Sequence, residues 1–120
     1  MPRILPALCL GLLWTLPAAA NDFAQVRDQS DFLAIVEGRE LRHSLGIRLS
    51  VRTDGRILGS ALGWQVTGSW KWQDGYFCRE MDWSGYAIPF NCQMVEVREG
   101  REIRFTVDRG AGESASFRLR

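Results

Sequence analysis

Apolar and polar residues alternate along much of the chain from Gly46 onward, a pattern typical of half-buried β-strands. Ile47, Leu49 and Val51 fall on one face of such a strand, and the residues between them are polar. A strand with one apolar face and one polar face is typical of an antiparallel sheet. We therefore predict an antiparallel strand over residues 47–52.

Turn signals divide the rest of the alternating region into further strands. Asp54-Gly55 and Asp74-Gly75 predict tight hairpin turns, because glycine tolerates the positive φ that such turns require. Phe90 begins a later apolar run, and the segment before it reads as a loop over residues 83–89. Strands are thus predicted over residues 56–73, 76–82, 90–98, 102–108 and 114–119.

The tryptophans of the segment 56–73 follow the same alternation. Trp64, Trp70 and Trp72 share one face, so we expect all three to belong to the core. Glycines also interrupt this segment, and a glycine within a strand often marks a bulge or a strongly curved sheet. A small barrel or a coiled meander therefore suits the segment better than a flat sheet.

Residues 29–37 form the one segment with a helical pattern. Ser30 is a plausible N-cap, and Gly38 stands where a helix would stop. The predicted fold class is therefore all-β and mainly antiparallel, a small barrel or coiled meander of six or seven strands with one short N-terminal helix.

The first twenty residues read as a cleavable signal peptide. Arg3 precedes an apolar stretch that is shorter than the roughly 20 residues needed to span a bilayer, and Ala18 and Ala20 are the small residues of a cleavage site. We therefore expect cleavage before Asn21, a single β domain over residues 21–120, a periplasmic or secreted location and no stable membrane insertion after cleavage.

Charge and cysteine content narrow the picture further. Without Arg3 the chain has as many basic as acidic residues, and they are interspersed, which disfavours a nucleic-acid partner. The expected mature chain keeps Cys78 and Cys92, and export would place them in an oxidising compartment. We therefore predict a disulfide between them; their spacing fits neither a metal site nor a redox-active pair.

Three motifs resemble those of a group of small exported bacterial β proteins. The motifs are Gly-Ser-Trp-Lys-Trp-Gln-Asp-Gly-Tyr-Phe-Cys-Arg from Gly68 and Asn-Cys-Gln from Asn91, followed by Phe-Thr-Val-Asp-Arg-Gly from Phe105. The resemblance implies a β fold and export, and it brings no catalytic residues. The layout is also similar in architecture to lipocalin-like periplasmic inhibitors, although no inhibitory segment can be matched residue by residue.

Candidate catalytic groups are few. His43 stands alone beside Ser44 without an orienting carboxylate, so we expect a surface or capping role for it. Glu80 and Asp82 are spaced along one strand face, which suits a solvated surface better than an acid/base pair. Glycine-rich phosphate loops and metal-ligand spacings are lacking, so we predict no catalytic residue, no metal and no cofactor.

The segment 83–89 is the most informative for binding, because it places Trp83 and Tyr86 between the two cysteines. Aromatic side chains on a loop that a disulfide holds in place are typical of a binding surface. The alternative is that they fold back and plug an open end of the barrel. We assign Trp83 and Tyr86, with Tyr76 and Phe90, as candidate ligand- or partner-binding residues.

The sequence thus favours an exported, non-enzymatic binding or interaction protein, whose partner is an unidentified protein or small ligand of the cell envelope. Two alternatives stay open. One is an inhibitor of an envelope or secreted hydrolase that presents residues 21–30. The other is a lipocalin-like carrier of a small apolar ligand, which an empty lumen lined by tryptophans and Phe105 would favour.

Overall fold

A computed structural model describes residue 11 and residues 22–120 of the chain. The predicted leader and its cleavage site before Asn21 lie outside the described residues, apart from Gly11. The described part contains one α-helix, one 3-10 helix and nine strands: β1 (Ala24–Val26), α1 (Gln29–Val36), β2 (Leu41–His43), β3 (Ile47–Val51), β4 (Arg56–Ala61), β5 (Trp64–Gln73), β6 (Tyr76–Trp83), β7 (Tyr86–Arg98), β8 (Glu102–Thr106), the 3-10 helix (Asp108–Gly110) and β9 (Ser114–Leu119).

Strands β2 to β9 close into an antiparallel barrel. Each strand pairs with the next along the chain from β2 to β7, and β8 pairs with both β7 and β9. The ring closes where Leu41 of β2 lies opposite Leu119 of β9. Strand β1 stays outside the ring and pairs with β7, with Val26 opposite Val95.

The fold class and the single helix are confirmed, but the prediction of six or seven strands is wrong. The barrel has eight strands, with a ninth outside it. Strands β1 and β2 have only three residues each, which is too short for an alternating pattern to show. The predicted strand over residues 56–73 is two strands, because Leu62 (φ 53°) and Gly63 (φ 82°) form a hairpin turn between β4 and β5.

The predicted loop over residues 83–89 is also wrong. Ser84 (φ 47°) and Gly85 (φ 97°) make a two-residue turn, and Tyr86 already begins β7. Pro89 suggested a loop because proline cannot donate a ladder hydrogen bond. The strand tolerates it because the β6–β7 register shifts between Arg79 and Met81, opposite this part of β7.

Two glycines allow the sheet to close tightly. A methyl group at Gly59 would collide with the carbonyl of Arg48 on β3, and one at Gly68 would collide with the carbonyl of Glu80 on β6. Neighbouring backbones therefore approach more closely at these two positions than any other residue would allow. These close contacts provide the physical reason for the strongly curved sheet that the sequence predicts.

An aromatic cluster under the helix closes one end of the barrel. Phe32 of α1 is completely buried, and its ring centroid lies 4.9 Å from that of Trp72, 5.2 Å from that of Phe77 and 5.4 Å from that of Trp70. The indole N–H of Trp70 donates to the carbonyl of Arg52 at 2.8 Å. The helix is thereby packed against strands β5 and β6 in one core.

Trp64 does not belong to that core. The alternation places it on the face that Trp70 and Trp72 share, but Trp64 is 64% exposed whereas Trp70 is 8% exposed. Trp64 is the first residue of β5 and lies at the end of the barrel that the helix does not cover. The prediction that all three tryptophans are core residues is therefore wrong for Trp64.

The predicted disulfide joins Cys78 and Cys92. The two cysteines lie directly opposite each other in the β6–β7 ladder, so the bond links adjacent strands of the longest hairpin. Disulfides are typical of oxidising, extracellular-type compartments.

Candidate functional site

The interior of the barrel holds a cavity of about 270 Å³, next to the aromatic cluster. Inward-facing positions from most of the ring converge on it, because alternate residues of each strand point to the same side. Most of the lining is apolar, and the full set is Leu41, Leu49, Val51, Ile57, Phe77, Arg79, Met81, Gln93, Phe105, Val107, Glu113, Ser114, Ala115 and Phe117. We call this space the inner cavity.

A second cavity of about 270 Å³ opens at the end of the barrel opposite the helix. All of its lining side chains are apolar: Leu45, Ile47, Leu49, Ala61, Leu62, Val66, Met81, Trp83, Ile88 and Phe117. We call it the mouth cavity. It shares Leu49, Met81 and Phe117 with the inner cavity, so the two spaces adjoin one another through these side chains.

Exposed apolar side chains surround the mouth cavity. Leu45, Leu62, Trp64 and Tyr86 are four of the five exposed large apolar residues among those that the structure describes. They lie in or beside the β2–β3, β4–β5 and β6–β7 turns, which share one end of the barrel because consecutive strands are antiparallel. Clustered apolar exposure of this kind is common at surfaces that contact an apolar ligand, a partner or a membrane.

Trp83 forms one wall of the mouth cavity. It is half-buried at the end of β6, and its indole N–H donates to the carbonyl of Ala61 at 3.0 Å. The bond fixes the ring between the β4–β5 and β6–β7 turns. Trp83 therefore lies at the edge of the open end and lines the mouth cavity.

Arg79 places a positive charge inside the barrel. It follows Phe77 and precedes Met81 on the inward face of β6, and all three line the inner cavity. Its Nη1 donates to the carbonyl of Pro89 at 2.7 Å, where the β6–β7 register shifts. The bulge that accommodates Pro89 thus also holds the arginine in place.

The Arg79 side chain is well shielded from water. The residue is only 9% exposed, and burial lowers the pKa of its guanidinium from the ordinary value. No carboxylate of residues 22–120 forms an ion pair with it. Gln93, opposite Phe77 on β7, is the other buried polar side chain that lines the inner cavity.

The structure brings together two of the four predicted binding residues. Trp83 and Tyr86 are ladder partners beside the mouth, and Tyr86 is 69% exposed. Tyr76 begins β6 at the opposite end, where the guanidinium of Arg109 lies 5.3 Å from its ring centroid. Phe90 points outward from β7, 52% exposed, with the Nζ of Lys71 5.6 Å from its ring centroid.

The other polar groups considered from the sequence make local contacts. His43 accepts the N–H of Leu45 at its Nδ1, at 3.1 Å, within the β2–β3 turn. Asp82 accepts the N–H of Gly85 at 2.9 Å, and Glu80 is exposed on the outer face of β6. In the described part of the chain, no three His, Cys, Asp or Glu side chains are grouped to hold a metal ion.

Sequence reasoning did not single out Arg79 or Gln93 as site residues. The signal was present, because Phe77, Arg79 and Met81 occupy alternate positions of one strand and a charge on an apolar face is unusual. The carboxylates of Glu80 and Asp82 on the same strand obscure this signal, because they suggest a solvated surface. The strand turns those two carboxylates outward and the guanidinium inward.

None of the helices among the described residues is long and apolar enough to cross a bilayer. Comparisons with protein-family models, with curated proteins and with solved structures found no match to this chain.

Proposed function

We propose that this chain is an exported, non-enzymatic binding protein that carries a small apolar ligand in the lumen of its barrel. The observation that carries the proposal is the inner cavity, which adjoins a mouth cavity lined by apolar side chains. Each cavity is slightly smaller than the roughly 300–1,000 Å³ of common ligand sites, and the two share three lining side chains.

The lumen is a better candidate site than the outer surface that the sequence favours. Trp83 was expected on a disulfide-held loop, but it ends a strand and lines the mouth cavity. Phe90 and Tyr76 lie away from the mouth and from each other. A ligand in the lumen would instead contact converging apolar side chains from many strands, and removing apolar surface from water stabilises such a complex.

The hydrolase-inhibitor alternative has less support. It needs an exposed segment that is free to enter a partner's active site, and residues 21–30 were the candidate. Within this segment, Ala24–Val26 pairs with β7, and Gln29 begins the helix. The segment is held on the barrel, so no observation favours it as an inhibitory arm.

Binding of a neutral apolar fluorophore, N-phenylnaphthylamine, tests the proposal. We expect fluorescence enhancement with the wild-type protein and its loss in Leu49→Trp, because Leu49 lines both cavities and a larger ring would occupy the space they share. Arg48→Trp is the matched control, since Arg48 is the exposed neighbour on the same strand. Urea melts of both variants verify that each one folds.

The proposal fails if the wild-type protein does not bind the fluorophore. It also fails if Leu49→Trp binds the fluorophore as well as Arg48→Trp does, because binding would then occur outside the lumen. The fluorophore carries no charge, so the result is independent of any role of Arg79.

Export is the second part of the proposal, supported by the leader-like first twenty residues and by the Cys78–Cys92 disulfide. We expect the intact mass of protein recovered from the periplasm or the medium to correspond to a chain that begins at Asn21. Recovery of the uncleaved chain from the membrane fraction would contradict it.

A further inference from the structure

We infer that the ligand of the lumen is amphipathic and that Arg79 binds its singly charged anionic head, a carboxylate. The inference rests on the proposed function and names the chemical class of its ligand. It is carried by a charged side chain that is more than nine-tenths buried and lines the inner cavity. Within residues 22–120 that side chain has no ion-pair partner.

The guanidinium has hydrogen-bonding capacity to spare. It carries five N–H donors, and the one side-chain hydrogen bond found for it is from Nη1 to the carbonyl of Pro89. No fully buried side-chain nitrogen or oxygen of the described residues lacks a partner, so the remaining N–H groups of Arg79 keep some accessible surface. Because Arg79 lines the inner cavity, we place this surface in the cavity.

A buried charge without a counter-ion is unfavourable, and an anionic ligand would relieve that penalty. The planar fork of arginine matches a carboxylate, which can accept two parallel N–H bonds. Gln93 is buried beside the same space and offers a further donor. Few polar groups in an otherwise apolar site are typical of ligand pockets that fix the orientation of a head group.

Glu113 is the acidic residue among those that line the inner cavity, and it is exposed. A carboxylate at this site repels a second negative charge, so a monoanion is favoured over a dianion such as a phosphate monoester. The apolar tail would pass Leu49, Met81 and Phe117 into the mouth cavity, whose lining side chains carry no charge.

Displacement of the fluorophore by two ligands of equal chain length, dodecanoate and dodecanol, tests this inference. We expect the wild-type protein to bind dodecanoate about tenfold to a hundredfold more tightly than dodecanol, the range expected for hydrogen bonds to a charged group. Arg79→Met should lose this preference while its affinity for dodecanol stays the same. Arg79→Lys should retain part of the preference, because it keeps the charge but loses the fork.

Glu113→Gln is the matched control, because it removes the negative charge from the same lining. We expect unchanged or tighter binding of dodecanoate in this variant. Weaker binding would overturn the inference, since the anion could not then lie beside Glu113. Urea melts of all variants verify folding, and Arg79→Lys provides a second test if Arg79→Met does not fold.

The inference and the proposed function can fail separately. The anionic head is refuted if the fluorophore and dodecanol bind but the wild-type protein shows no preference for dodecanoate over dodecanol. It is also refuted if Arg79→Met lowers the affinity for both ligands equally. In either case the lumen remains a ligand site. If neither ligand nor the fluorophore binds to the wild-type protein, both are overturned.

Discussion

The two ends of the barrel use aromatic side chains in opposite ways. At the helix end, Phe32 packs on Trp70, Trp72 and Phe77 within 5.4 Å between ring centroids and is completely buried. At the open end, Trp83 stands at the wall of a cavity. The same residue type therefore stabilises the fold at one end and shapes an empty space at the other.

This difference indicates that the helix end contributes mainly to stability and the open end mainly to binding. An aromatic ring contributes most to stability where it is enclosed on all sides, as in the cluster under the helix. Side chains around a cavity have fewer partners and contribute less, but they are available to a ligand. We therefore expect substitutions at the two ends to differ in both stability and binding.

The largest expected effect is that of Trp70→Ala at the helix end. Trp70 is almost fully buried, contacts two aromatic rings of the cluster and donates a hydrogen bond to Arg52, so its removal should lower the free energy of unfolding by about 3–5 kcal/mol. Urea melts measure this loss. The matched control is Trp64→Ala on the same strand, which should change stability by no more than about 0.5 kcal/mol because Trp64 is exposed.

Removal of the disulfide should have the next largest effect. The Cys78→Ala, Cys92→Ala double variant releases a loop with a sequence separation of 14, and the chain-entropy estimate for such a loop is about 3 kcal/mol. We also expect weaker fluorophore binding, because the β6–β7 hairpin carries Trp83 to the mouth. Thiol titration of the denatured, unreduced wild-type protein should find no free thiol at these positions, and two reactive thiols would contradict the bond.

The smallest of the three stability losses is expected for Trp83→Ala at the mouth. Trp83 is half-buried and donates one hydrogen bond, so we expect a loss of about 1–2 kcal/mol together with weaker binding of the fluorophore. Glu80→Ala, on the exposed outer face of the same strand, provides the control and should preserve both stability and binding. A loss for Trp83→Ala as large as that for Trp70→Ala would show that Trp83 plugs the barrel.

Much of the fold could be predicted from local patterns. Strands of five or more residues show their alternation directly, and Asp74-Gly75 marks its hairpin because both residues adopt positive φ. The three-residue strands β1 and β2 could not be found, since neither their composition nor their length distinguishes them from coil. The Leu62-Gly63 turn was missed because leucine rarely adopts a positive φ.

The candidate site was predictable only in part. Trp83 was predicted to lie on a loop, but it ends β6 and lines the mouth cavity. Arg79 was visible as a charge between Phe77 and Met81, yet its burial depends on Pro89 and the register shift on the neighbouring strand. The sequence of β6 alone cannot reveal that Pro89 lies near Arg79, because the register of the whole β6–β7 hairpin decides which residues face each other.

The sequence by itself determined the antiparallel β class, the helix, the Asp74-Gly75 turn and the cysteine pair, because each follows from residue spacing or from the conformational preference of a few adjacent residues. The tertiary structure alone decided that β2 meets β9 to close the ring, that the lumen is unfilled and that Arg79 lies inside it. These properties depend on the combined volume of the side chains from eight strands and on the register between those strands. No local sequence pattern determines either of them.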